Sequence, residues 1–137
     1  MKLAMVFEGG ASRTIFSCGV ADAFLEENIM PDYFIGVSAG IAFCLSYLSK
    51  QHGRNLELAR KYMSDGNYQG FKFLFDKNRK TFYNLDYVFD EVPNKLLPFD
   101  YDAFAAFPGQ VEAAVTNIHS GKAEYLEVPR DSSSMAV

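Results

Sequence analysis

Tyr33-Phe34-Ile35-Gly36-Val37-Ser38-Ala39-Gly40, continued by Ile41-Ala42-Phe43-Cys44-Leu45-Ser46-Tyr47-Leu48, is the stretch whose reading decides the fold. Its first three residues form a short apolar run of strand character. Its last eight are apolar on every side, which marks a buried helix. Between them lies G-x-S-x-G, at residues 36–40. A serine at such a seam sits on a sharp turn with its hydroxyl exposed and a helix N-terminus beneath it. Gly36 and Gly40 flank it because side chains there would block so tight a turn.

By chance alone, G-x-S-x-G occurs in about one chain of this length in twenty, so its surroundings matter. Upstream, the apolar run Leu3-Ala4-Met5-Val6-Phe7 leads into Glu8-Gly9-Gly10-Ala11-Ser12-Arg13 and then into a second helical pattern. Two strand-loop-helix units therefore follow one another. In a parallel sheet each crossover returns the chain in the same direction, so both loops lie at the same strand ends. The glycine-rich backbone can then offer N–H groups to an oxyanion formed at Ser38, as acyl transfer through a serine requires.

Composition sets bounds on this reading. At 137 residues, 49% hydrophobic and 22% charged, the chain reads as one globular domain spanning residues 1–137. Thirteen Lys and Arg against 17 Asp and Glu give a net charge of −4, which argues against a nucleic-acid partner. Cys18 and Cys44 fall inside helical patterns with no metal-type spacing, as reduced core residues of a cytoplasmic protein do. The apolar run before Glu8 is too short for a signal peptide, and no stretch approaches a membrane span. Thirteen Phe and eight Tyr, most of them between Tyr62 and Phe107, read either as a ring-filled core or as an apolar wall for an acyl chain near Ser38.

Along the chain, a first helix is expected from about Thr14 to Asn28, with Phe16, Val20 and Phe24 on one face beside Ala21 and Leu25. The helix after the elbow is expected to stop near His52-Gly53, and a third to run from Leu56 to Met63. Ser64-Asp65-Gly66-Asn67 reads as a turn. Phe71, Phe73 and Phe75 alternate as in a strand while Leu74 breaks the alternation, which leaves that segment open. Asp100 caps a short helix through Phe107, ended by Pro108-Gly109. Val111 to Thr116 and Ala123 to Val128 read as antiparallel partners around the loop 117–121.

A serine hydroxyl needs a base. His52 lies fourteen residues beyond Ser38, about 20 Å along a continuous helix. His119 sits in the hairpin loop, where solvation is the simpler reading. A Ser-His-Asp triad is therefore not expected. What remains is a dyad in which a carboxylate activates Ser38, aided by the dipole of the helix that begins at Ala39.

These residues resemble the patatin-like phospholipases, most closely their bacterial branch. Members open with a strand, an E-G-G-G-x-R-G oxyanion loop, a helix, a second strand and G-x-S-x-G. Here the first block stands as Glu8-Gly9-Gly10-Ala11-Ser12-Arg13-Thr14 and the second as Gly36 to Gly40. The helix Gly19 to Glu26 is similar too, as are Thr116-Asn117, Ser120-Gly121-Lys122 and Tyr125, where the family often has T-D…T-G-E…Y. The resemblance implies a three-layer α/β/α fold and hydrolysis of lipid acyl esters by a Ser-Asp dyad, without metal or cofactor. It makes Ser38 the nucleophile, assigns the oxyanion to the N–H groups of Gly9, Gly10 and Ala11, and puts Arg13 at the motif's basic position.

Three departures bear on function. Ala11 stands where the family has a third glycine, restricting positive φ there. Thr14 replaces the last glycine and is a candidate helix N-cap. The family's catalytic Asp lies in a D-G-G or D-G-A motif beyond this chain, and Asp65-Gly66 comes too early to replace it. The expectation is thus an N-terminal portion of the domain, incomplete at its C-terminus, with Ser132 to Val137 beginning a further helix. The sheet would then expose apolar surface through which the chain could form a homo-oligomer. Lipid or acyl-ester substrates also imply peripheral membrane contact. The alternatives are an acyltransferase using the same acyl-enzyme and a non-catalytic acyl- or lipid-binding module. The glycine loop matches neither nucleotide-binding pattern.

Overall fold

The computed structural model describes residues 2–75 and 80–130. Four strands form one sheet in the order β1 (Ala4–Phe7), β2 (Tyr33–Val37), β3 (Gln110–Thr116), β4 (Ala123–Glu127). The first three are parallel and β4 returns antiparallel to β3. The fold is α/β, with both early crossovers as the sequence implied. The hairpin also forms as expected, with the Gly121 N–H donating to Asn117 O across the loop.

Alternation explains the core. In register, Met5 pairs with Phe34 and Phe34 with Val111, so these side chains share one sheet face, and all three are buried. Helices α1 (Ile15–Glu26) and α2 (Ala39–Leu48) pack on each other and close this face with Ala21, Cys44, Tyr47 and Leu48. Phe104, from the short α4 (Tyr101–Ala105), and Phe107 complete the cluster. The strand origins are tied by Asp32: its carboxylate accepts from Leu3 N at 2.7 Å and its carbonyl accepts from Gln110 N at 3.0 Å. The other sheet face carries Val6, Val37 and Tyr125, all exposed. Among the described residues the sheet and the helices on this one face therefore form two layers of an α/β/α arrangement. The helix expected from Ser132 onward lies outside the described residues.

Local departures from the sequence reading have physical causes. The buried stripe of α1 is Cys18 and Ala21, below Thr14, whereas Phe16 and Val20 are exposed. Close packing of α1 on α2 selects small side chains at the seam and leaves the large ones outside. Helix α2 stops at Leu48, not near His52, and Gly53, at φ 73°, instead opens α3 (Arg54–Glu57). The third helix widens into a π-type turn at Leu58–Tyr62, and Phe71–Phe75 forms a 3₁₀ turn in place of a strand. Asp100 does cap α4, its carboxylate accepting from Ala103 N at 2.8 Å. Both cysteines are buried and unpaired. Burial pushes the Cys18 thiol up to about 11 and raises Cys44 as well, so neither is a ready nucleophile.

Candidate active site

Ser38 stands at the junction of β2 and α2 with φ 52° and ψ −125°, and it is exposed. A non-glycine residue in this region carries about 1–3 kcal/mol of strain. Its carbonyl takes up the helix start, accepting from Ile41 N at 3.2 Å and Ala42 N at 3.3 Å. Its side chain caps nothing and, among the described residues, bonds to no other group.

The surrounding glycines are contact points. A Cβ on Gly36 would lie 2.6 Å from Ile41 Cα, and one on Gly40 would lie 2.4 Å from Phe7 O. A Cβ on Gly9 would come within 3.0 Å of Ser38 Cβ. The loop after β1 and the elbow after β2 are therefore pressed together, and the two motifs read separately in the sequence meet in space. Gly10 continues the loop, and Ala11 holds φ 48°, the positive value that its side chain disfavours. The Arg13 side chain lies over Gly10, where a Cβ would meet its Nε at 3.7 Å. Thr14 occupies the cap position of α1 but makes no capping bond with its side chain. Its hydroxyl is buried without a partner among the described residues, because the 3₁₀ turn Ala11–Thr14 runs straight into α1 and leaves no cap to make.

A cavity of about 700 Å³ opens beside Ser38 and Ala11. Ile41, Leu45 and Ser46 of α2 line it, together with Leu85, Val88 and Phe89 from the segment around Tyr87–Leu96. The two readings of the aromatic residues both apply, to different rings. Phe7, Phe34, Tyr47, Phe104 and Phe107 fill the core, while Tyr68, Tyr83, Phe89, Phe99 and Tyr101 line the cavity.

Neither histidine reaches the elbow. His52 Nε2 lies 3.0 Å from Glu26 Oε1, at the end of α1 remote from the glycine-rich loop. His119 is exposed in the hairpin loop, its backbone N–H donating to Asn117 Oδ1 at 2.9 Å. Asp65 shapes a turn, accepting from Asn67 N at 2.9 Å and from Tyr87 OH at 2.8 Å. Burial raises its pKa, but these hydrogen bonds outweigh burial and hold the carboxyl below its usual value. Among the described residues no group of three His, Cys, Asp or Glu is placed to hold a metal, and no helix is long and apolar enough to cross a membrane.

One lining residue escaped the sequence reading. Arg54 is only 9% exposed and lies in the cavity wall with Ser46. A lone Arg beside a glycine carries no motif, so only the fold could bring it there.

The family model for patatin-like phospholipase matches residues 5–135. The chain belongs to this family. Within the patatin-like frame, Ala11 and Thr14 are departures that the structure accommodates, one with a strained φ and the other with a buried hydroxyl. A similar protein is the uncharacterized YjjU of Escherichia coli (strain K12), 25% identical over 127 residues. That match covers 91% of this chain but 32% of YjjU, so the chain spans about a third of its relative's length. No solved structure gives a significant match.

Proposed function

We propose that the protein is a lipid acyl hydrolase, of phospholipase or carboxylesterase type, acting through Ser38. The observation that carries this is an exposed, strained serine pressed against a glycine loop at the mouth of an apolar cavity, in a patatin-like chain. In this reading Ser38 Oγ attacks the ester carbonyl carbon and passes its proton to a carboxylate base. The oxyanion is held by the N–H groups of Gly9, Gly10 and Ala11, with Arg13 adding positive potential behind the loop and the α2 N-terminus adding its dipole. Collapse expels the alcohol, which takes the proton back. Water then hydrolyses the acyl-enzyme by the reverse sequence of proton moves.

The base of the dyad is an Asp supplied from outside the described residues. The test is intact mass after fluorophosphonate treatment of this chain and of one extended at its C-terminus, each beside Ser38→Ala. One adduct on the serine form alone, with cleavage of p-nitrophenyl esters by the longer chain, is the expected result. A Ser38→Ala variant with undiminished turnover would remove the assignment. An acyl-binding module is the second reading, favoured by the absence of any group bonded to the Ser38 hydroxyl among the described residues. Saturable fatty-acid binding without an adduct would select it. Transfer of the acyl group to an alcohol uses the same intermediate, and product analysis with competing acceptors separates it from hydrolysis.

The free buried Cys18 and Cys44 accord with a cytoplasmic protein, one that touches membranes only peripherally. Self-association through the sheet face of Val6, Val37 and Tyr125 remains part of this reading, and a monomer in sedimentation at high concentration would exclude it.

A further inference from the structure

Arg54 presents an unanswered charge. Its Nη1 donates to Ser46 Oγ at 3.1 Å, its Nη2 to Leu97 O at 2.7 Å and its Nε to Pro98 O at 3.4 Å. The guanidinium also lies 5.3 Å from the centre of the Phe99 ring. Every one of these partners is neutral. Among the described residues Glu57 pairs with Lys61 and Glu26 contacts the His52 ring, and no carboxylate rests on Arg54. Glu57 is near enough to favour the charge but is held by Lys61 at 2.6 Å. Burial lowers the pKa of Arg54, the expected response of a cation taken from water. A guanidinium has five N–H donors and keeps its charge when buried, so those that make no bond among the described residues can bond a ligand.

The place of this charge gives it meaning. Arg54 and Ser46 line the same cavity as Ser38, among otherwise mostly apolar side chains. Ser46 accepts from Arg54, and its own hydroxyl hydrogen remains able to donate. Eight residues of α2 separate Ser46 from Ser38, which at about 1.5 Å per residue is about 12 Å along the helix axis. We propose that Arg54 and the Ser46 hydroxyl form an anion subsite in the cavity wall, and that the preferred ester carries a carboxylate about 12 Å from the carbonyl presented to Ser38. The subsite rests on the acyl-ester reading of the cavity and adds to it the chemical class of the acyl group. A carboxylate there takes the remaining guanidinium donors in charge-assisted bonds and supplies the missing counter-charge, whereas a plain alkyl chain leaves the cation unanswered.

The competing account is that Arg54 only fastens the Leu97 and Pro98 carbonyls. Calorimetric titration of the Ser38→Ala chain with monomethyl sebacate and with dimethyl sebacate separates the two, because the probes differ in one end charge and neither is turned over. The expected result is at least about tenfold tighter binding of the half-ester. That ratio should fall to about one in Arg54→Met, fall less in Arg54→Lys, and shrink in Ser46→Ala, which leaves the two carbonyl bonds intact. A ratio near one in the Ser38→Ala chain overturns the proposal, as does a ratio that survives Arg54→Met. Should Arg54→Met fail to fold, the starting ratio and its response to Ser46→Ala still decide. Fluorophosphonate labelling of Ser38 is scored separately, so loss of the hydrolase reading and loss of the anion subsite give different results.

Discussion

The elbow junction and the outer wall of the cavity are built on opposite principles. At the junction, backbone meets backbone: the glycine positions at 36 and 40 leave less than 3 Å to main-chain atoms for any added carbon. At the outer wall, side chains meet side chains along wide turns, including the π-type segment Tyr87–Leu96 with Pro93 inside it. Tyr83, Leu85 and Phe89 there are more exposed than buried-core residues ever are, and among the described residues its parts are joined by main-chain bonds such as Gly70 N to Phe82 O at 3.0 Å and Asn84 N to Tyr68 O at 2.8 Å. Reacting atoms must be placed to within fractions of an ångström, and only rigid backbone contacts do that. Room for a substrate chain needs volume and apolar character, which many side-chain arrangements supply.

The contrast is broken most easily at Gly40. A methyl group there would sit 2.4 Å from Phe7 O and 2.7 Å from Glu8 O. Gly40→Ala should therefore cost about 3 kcal/mol or more in urea unfolding and abolish fluorophosphonate labelling of Ser38. If it unfolds no more readily than wild type, the junction is not rigid and the contrast disappears. On the outer wall, Val92 is only 1% exposed, and Val92→Ala should cost about 2 kcal/mol. Phe89, at 58% exposure, should change stability by less than about 0.5 kcal/mol when cut to Ala. Similar losses at the two positions would show the wall to be as tightly fitted as the core.

A sharper test of the junction is the strain at Ser38. Because its φ is 52°, Ser38→Gly should raise stability by about 1 kcal/mol while removing the adduct, and Ser38→Ala should remove the adduct without that gain. Equal melting of the two variants would mean that the elbow stores no strain. The smallest effect concerns the Asp65–Tyr87 bond, which ties the turn at 64–67 to the outer wall. Burial, with the hydrogen bond and charge of Asp65, pushes Tyr87 up to about 12, and the hydrogen bonds to Asp65 depress its carboxyl. A depressed carboxyl stabilises above its unfolded pKa, near 3.9, and that contribution is lost as pH falls through the folded value. A raised phenol stabilises below its unfolded pKa, near 10, and that contribution is lost as pH rises towards the folded value. Asp65→Asn should therefore lower the urea midpoint slightly at pH 7 and not at all near pH 2. A difference that persists unchanged at low pH would assign the effect to packing.

How much could be read in advance follows the same division. Gly9, Gly36, Ser38 and Gly40 were legible because their demands are local: a tight turn tolerates few residue types, so the motif is written in consecutive letters. The strands and the Asp100 cap were legible for similar reasons. The stripe of α1 is not legible in its periodicity, because the neighbour that selects Cys18 and Ala21 over Phe16 is another helix. Phe71–Phe75 is not decided by its letters, because alternation over five residues does not separate a strand from a 3₁₀ turn without knowledge of what covers it.

By itself, the sequence determined the family, the parallel order of its first units and the serine that stands at the turn, since each is enforced by contacts between residues close in the chain or by backbone geometry that one residue type permits. Only the tertiary structure decided that the Gly9 loop touches Ser38, that some rings line a cavity while others fill the core, and that Arg54 stands in that cavity with neutral partners. Those outcomes depend on which faces meet across long sequence separations, and pairings of that kind are set by the packing of the whole sheet and its helices.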